Sequence, residues 1–213
     1  GDLTMLEGIK IIEMATYIAA PSAGGIMADW GADVIKIEPL SGCPMRKFYA
    51  SAMTDDYPDN PVSALDNRGK RAIAVNTGTD EGREIVRKLV ADADVFLTNV
   101  RPGQLKQQGL DFDTLSKINP KLVYASVTGF GLQGEEADKP GFDTAAFNAK
   151  SGFGWIMTPK GAAPAPLRTA AGDHITGIAT ASGILAALLK ARDTGKGTLV
   201  ESSLIRSAAY TVG

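Results

Sequence analysis

Between residues 9 and 38 the sequence runs strand, loop, helix, turn, strand, and this stretch narrows the fold more than any other. Residues 9–14 and 34–38 are short runs rich in branched apolar side chains. Residues 15–21 read as a loop, Ser22 as the N-cap of a helix over 23–30, and Gly31-Ala32-Asp33 as the turn into the second strand. Strand, helix and strand joined by short loops make a βαβ unit, whose strands lie parallel. The alternation continues. A strand over 72–75 precedes a helix over 81–91, capped by Thr79 or Asp80, with Ile85, Val86, Leu89 and Val90 on its core face. A strand over 95–97, a helical turn over 105–108, a helix over 111–119 stopped by Pro120 and a fifth strand over 122–127 follow. Residues 142–153 read as a helix, 198–202 as a further strand and 204–212 as a last helix, whereas 39–69 read as a long loop with room for a short helix. The pattern predicts an α/β, Rossmann-like, doubly wound and mostly parallel sheet, which receives ligands at the loop after its first strand.

Composition removes several classes of function. With 44% hydrophobic and 22% charged residues and a net charge of −2, the chain has no general attraction to nucleic acid or to an anionic membrane. Its apolar runs carry Gly, Ser and Thr and read as too short to span a bilayer. No basic segment leads into an apolar core at the N-terminus. A single cysteine, Cys43, forms no internal disulfide and suits a reducing compartment, so a cytoplasmic protein is expected. One histidine, His174, cannot build a Cys/His metal cluster, and no metal is expected. Gly24-Gly25 lies near a helix start, but the G-x-G-x-x-G spacing of a dinucleotide site is absent.

The chemistry concentrates in residues 166–204. Gly172-Asp173 stands directly before a long apolar run, in which Ile175, Ile178, Ala179, Ser182, Leu185, Leu188 and Leu189 recur at the spacing of one helix face. That helix is expected to end near Arg192, with Gly195 just beyond. Asp173 then occupies the N-cap position, among backbone N–H groups. It reads either as a plain cap or as a nucleophile presented to whatever the preceding loop admits. His174 reads as an ordinary histidine of the first turn, since no G-x-S-x-G stretch supplies a serine nucleophile.

Seven short motifs in order resemble the family III CoA-transferases. They are Leu6-Glu7-Gly8 with Ile18-Ala19-Ala20-Pro21; Trp30-Gly31-Ala32-Asp33-Val34-Ile35-Lys36-Ile37-Glu38; Asn67-Arg68-Gly69-Lys70-Arg71; Asn99-Val100-Arg101-Pro102-Gly103; Pro140-Gly141-Phe142-Asp143; Gly172-Asp173 with Gly183-Ile184-Leu185-Ala186-Ala187-Leu188; and Thr194-Gly195-Lys196-Gly197. Phe142-Asp143-Thr144-Ala145-Ala146-Phe147 is most similar to the 2-hydroxyacyl branch, which moves CoA between 2-hydroxyacyl or 2-enoyl groups in amino-acid fermentation. Members of the family are about twice this length. The resemblance therefore implies that residues 1–213 are the N-terminal part of the large CoA-binding domain, running into a linker to a second domain, in an enzyme that forms interlocked homodimers.

The resemblance also implies roles. Asp173 is the catalytic aspartate, which attacks the acyl-CoA thioester and passes through an aspartyl-CoA thioester; an ordinary carboxylate with a pKa of about 3.9 is ionised at pH 7 but a weak nucleophile. Tyr17, Ile18 and Ala19 line the thioester pocket. Val75 lies by the adenine, although a lone valine is equally a core residue. Asn99, Val100 and Arg101 belong to the CoA site, with Arg101 suited to a phosphate but equally readable as a solvated turn residue. Relatives often carry a basic residue at the positions of Pro39, Gln107 and Thr128, and this chain does not, so Arg68, Lys70 or Arg71 are candidates for the adenosine phosphates. Coenzyme A enters as substrate, and the partners are small molecules, an acyl-CoA and a carboxylic acid. Racemases of the same superfamily carry His-Asp where this chain has Phe142-Asp143, and phenylalanine moves no proton. A racemase and a non-catalytic CoA-binding subunit are the alternatives.

Overall fold

The computed structural model describes residues 4–48, 60–164 and 169–213. Strands β1 (Lys10–Met14), β2 (Asp33–Glu38), β3 (Arg71–Ala74), β4 (Val95–Thr98), β5 (Val123–Thr128) and β6 (Leu199–Ser203) form one sheet. Every pairing is parallel and the order is β3-β2-β1-β4-β5-β6. The expected doubly wound α/β fold is therefore present, with a sheet that is wholly parallel among the described residues.

Successive strand residues point to opposite faces, and both faces are buried. Ile11, Val95, Leu97 and Ala125 meet α1 (Ala19–Asp29) and α8 (Ala171–Thr194) on one side. Ile12, Phe96 and Tyr124 meet Val86 and Val90 of α4 (Asp80–Ala91) and Leu115 of α6 (Phe112–Ile118) on the other. Thr79 and Asp111 cap α4 and α6 through their side chains, at Gly82 and Thr114.

Four expectations need correction. Helix α1 begins at Ala19, not residue 23, and Ser22 is no cap: it lies buried inside the helix, with its Oγ donating to the Ala19 carbonyl at 2.9 Å. Pro21 is tolerated because it falls in the first turn, where its missing N–H has no intrahelical acceptor. Among the described residues, 39–69 hold two short helices where the sequence left room for one. These are α2 (Met45–Phe48) and α3 (Pro61–Asn67), the latter capped by Asn60, whose side chain accepts from the N–H groups of Val62 and Ser63. The expected helix over 142–153 is a π-helix (Asp143–Lys150) followed by α7 (Phe153–Ile156), an i→i+5 arrangement that a 3.6-residue pattern does not reveal.

The fourth concerns α8, which ends at Gly195 in the left-handed conformation as the sequence suggests. Its buried face is not the expected one. Gly172, Thr176, Gly177, Thr180, Ala181, Ile184 and Ala187 point inward. Ile178 is 58% exposed and Leu189 55% exposed. Small residues face inward because α1 lies very close: a Cβ on Gly177 would run into Ser22 Oγ. By length and composition the 24-residue helix is apolar enough to cross a membrane, contrary to the expectation from its runs; one face packs along α1, β5 and β6, and a third of its apolar window is buried.

An ionic cluster sits beneath α1. Glu13 of β1 is 0% exposed and Lys36 of β2 is 1% exposed. Lys36 Nζ donates to Glu13 Oε1 at 2.8 Å, and Lys70 Nζ lies 2.7 Å from Glu13 Oε2 while donating to the Pro21 carbonyl at 2.8 Å. Burial lowers the pKa of Lys70, against the pull of Glu13. Buried charges persist only when paired in this way.

Candidate functional site

The strand order turns between β1 and β4: the chain first adds β2 and β3 on one side of β1, then β4, β5 and β6 on the other. Loops leaving β1 and β4 therefore diverge and open a crevice at their carboxyl ends. A cavity of about 360 Å³ lies at that point. The loops after β1, β4 and β5 contribute Tyr17, Arg101 and Gly129, the start of α9 (Leu204–Val212) contributes Leu204, and Phe142 and Asp173 complete the wall.

Asp173 is the third residue of α8, not its N-cap; that position is Ala170, which makes no side-chain cap bond. The capping role passes to another element. Asp143, the first residue of the π-helix, is buried and accepts from the Gly172 N–H through Oδ2 at 3.2 Å. Position 172 must be glycine for this approach, since a Cβ there would run into the Phe147 ring and Asp143 Oδ1. Freed from capping, the Asp173 side chain lines the cavity.

The electrostatics follow from this placement. Burial pushes the Asp173 carboxyl up to about 7, with the negative charges of Asp143 and Asp66 adding to the rise and His174 opposing it. Burial also raises Asp143, although the N–H groups of Asp173 and Gly172 pull it back. The ordinary aspartate value expected from sequence is thus displaced toward neutrality, and a desolvated, more basic carboxylate is a stronger nucleophile once ionised. His174 turns away to α3, where its Nε2 lies 3.0 Å from Oδ1 of buried Asp66. That hydrogen bond raises the pKa of His174, against desolvation.

The remaining candidates divide. Tyr17, Ala19, Asn99, Val100 and Arg101 all line the cavity. Asn99 is committed to the backbone: its Oδ1 accepts from the Thr16 N–H at 2.9 Å and its Nδ2 donates to the Thr16 carbonyl at 2.7 Å, tying the β4 loop to the β1 loop. Arg101 is exposed at the start of α5 (Pro102–Gln108), and among the described residues it forms no ion pair. Ile18 and Val75 do not line the cavity; Ile18 precedes α1, and Val75 is buried with Ile12, Ile37 and Val86. The candidates for the adenosine phosphates are engaged elsewhere: Arg68 with Asp29, Lys70 with Glu13 and Arg71 with Asp33. Lys139 is the other cation at the cavity, and sequence reading missed it. Within the long loop expected over 39–69, residues 49–59 lie outside the described residues.

Comparison with known proteins agrees with this fold. The model of CoA-transferase family III matches residues 6–213. The chain is 41% identical over 212 residues to a (R)-2-hydroxy-4-methylpentanoate CoA-transferase of Clostridioides difficile, covering 98% of this chain and 53% of that protein. It is 42% identical over 213 residues to a cinnamoyl-CoA:phenyllactate CoA-transferase of Clostridium sporogenes, covering 98% and 51% respectively. The crystal structure of a CAIB/BAIF family protein from Brucella suis superposes with a TM-score of 0.91 at 34% identity, over 99% of this chain and 56% of that one. The chain thus spans about half the length of the relatives it matches.

Proposed function

Because the chain belongs to CoA-transferase family III, we propose that the complete protein moves CoA from an acyl-CoA to a free carboxylic acid, with Asp173 as the nucleophile. The observation that carries this reading is the half-buried carboxyl of Asp173, which lines the switch-point cavity with its pKa pushed up to about 7.

The steps balance without an outside reagent. An Asp173 oxygen attacks the thioester carbonyl, the C–S bond breaks, and CoA leaves as a thiolate, giving a mixed anhydride. The thiolate attacks the Asp173 acyl carbon and releases the first carboxylate, leaving an aspartyl-CoA thioester. The acceptor carboxylate attacks that thioester, its C–S bond breaks, and CoA thiolate leaves again, giving a second anhydride. The thiolate then takes the acceptor's acyl group and frees Asp173. A carboxylate shielded from water suits these exchanges, since hydrolysis of the anhydride would end the cycle.

The names of the two clostridial relatives, together with the Phe142-Asp143 step, support 2-hydroxy or 2-enoic acids as the acyl groups. By family resemblance the complete protein is a homodimer, and the buried Cys43, the one cysteine of these 213 residues, suits a reducing cytoplasm. The test is CoA exchange between acyl-CoA and labelled acid by the complete protein, with and without hydroxylamine. Trapping of a modified residue 173, and loss of exchange in Asp173→Ala, are expected. Near-normal turnover by that variant overturns the nucleophile.

A further inference from the structure

One titratable group beside the nucleophile takes no step in the exchange: the imidazole of His174. It follows Asp173 directly in the first turn of α8, yet its ring reaches α3, where Nε2 lies 3.0 Å from Asp66 Oδ1. Asp66 is 1% exposed, and its Oδ2 has no hydrogen-bond partner among the described residues. The ring is thus the one hydrogen-bond partner of that carboxyl among the described residues. A buried carboxylate persists only when it is paired, and a protonated ring pairs best with it.

Three carboxyls act on this ring: Asp66 of α3, Asp173 of α8 and Asp143 of the π-helix. All draw a proton to it, Asp66 foremost through the hydrogen bond, while desolvation opposes them. The other charges on elements packed against α8 are engaged elsewhere. Asp29 of α1 pairs with Arg68, Glu201 of β6 with Arg206 of α9, and Lys150 of the π-helix with Glu136. Lys70, on which Asp66 also acts, is paired with Glu13. Of the cavity's two cations, Lys139 is paired with Glu136 at 2.9 Å, and Arg101 is exposed. Among the charges that bear on Asp173, those of Asp143 and Asp66 are negative, and His174 brings the one positive charge.

We infer that His174 is a positioning residue for the exchange: fixed by Asp66, it stays protonated beside the nucleophile and supplies the positive charge that lets Asp173 stand as a carboxylate in a site shielded from water. This inference rests on the CoA-transfer reading. His174 does not line the cavity, so it acts through Asp173 and not on the substrate. Asp173 must be ionised to attack the thioester, and it must leave as a carboxylate when the acceptor's acyl group passes to CoA. A neighbouring imidazolium favours the charged form at both points.

A pH profile of CoA exchange by the complete protein and its His174→Gln variant tests this, together with NMR of the ring. Glutamine keeps a donor for Asp66 and removes the charge. The acid limb of kcat/KM, which reports the free enzyme, should move to higher pH. Exchange should fall by about 3–10-fold near pH 6 and by less than about 2-fold near pH 9. The ring signals that vanish in His174→Gln should titrate above the ordinary 6.5 in the unaltered protein, and at lower pH in Asp66→Asn. An acid limb unmoved in a His174→Gln variant that still exchanges CoA overturns the role. So does an equal loss at every pH, which is what a merely structural link between α3 and α8 would give. A ring that titrates at or below 6.5 in the unaltered protein overturns it too, and this measurement needs no variant to fold. If the unaltered protein exchanges CoA with no acid, the CoA-transfer reading fails, and the role in exchange fails with it whatever the ring titration shows.

Discussion

The carboxylate of Asp143 accepts the backbone N–H of Gly172 at 3.2 Å, one residue before Asp173 in the chain. One acidic side chain thus does the capping, and the other is left to face the cavity. Replacing Asp143 by Asn keeps an oxygen acceptor but removes a charge that raises the Asp173 pKa, second in effect to burial. The acid limb of the exchange rate should therefore move to lower pH in Asp143→Asn. Asp143→Ala should in addition leave the Gly172 N–H without its acceptor and destabilise the fold by about 1–2 kcal/mol. A pH–rate profile and thermal unfolding of the complete protein measure the two effects separately.

Asp173 itself makes stability depend on pH. Its pKa rises from 3.8 to about 7 on folding, so between those values the folded state binds more protons than the unfolded one. Its contribution is fully present below pH 3.8 and is lost as pH rises through about 7. His174, raised by Asp66, acts in the same direction from its ordinary value upward. Asp173→Asn removes the first effect. The variant should gain stability relative to the unaltered protein between pH 5 and pH 8, on the order of 2–3 kcal/mol. Denaturant unfolding at the two pH values reads this directly, and a constant difference would contradict it.

Asn99 offers a test of loop positioning. Its amide pairs with both backbone groups of Thr16, so its side chain sets where Tyr17 stands. Asn99→Ala should lose two hydrogen bonds of about 1 kcal/mol each and let the β1 loop relax. The expected kinetic result is a raised KM for acyl-CoA, with a smaller change in kcat. A change in kcat alone would instead place the amide on the reacting atoms.

The sheet's buried charges make the sharpest stability prediction. Glu13, at 0% exposure, is the counter-ion of both Lys36 and Lys70. Glu13→Gln removes the carboxylate that both ammonium groups pair with and should destabilise by about 3–5 kcal/mol. Equilibrium unfolding measures it. A loss under 1 kcal/mol would mean that water reaches the cluster.

Strand and helix order was legible in the sequence because buried parallel strands and amphipathic helices carry their own periodicity, as in residues 122–127 and 81–91. That Asp173 stands at the start of a helix was legible from the Gly-Asp step before an apolar run, but its expected N-cap position was not the observed one. What escaped depends on partners distant in the chain. Lys70 stands in a polar motif and looks solvated; its burial follows from Glu13 on β1, the Pro21 carbonyl and the Asn67 side chain. The expected face of α8 followed the large apolar residues, whereas the observed face follows the small ones, because α1 approaches too closely for anything larger than Gly177 at the contact. His174 gave no sign of Asp66.

Strand order also has a consequence during synthesis on the ribosome. Tyr124 of β5 pairs with Leu199 of β6, while Ile11 of β1 waits for Val95 of β4. Parallel neighbours so far apart in the chain close late. At translation rates of about 5–20 residues per second, the emerging β5 edge stays unpaired for several seconds. That open apolar strand, like β1 before β4 emerges, is for that interval an edge that other chains can pair with.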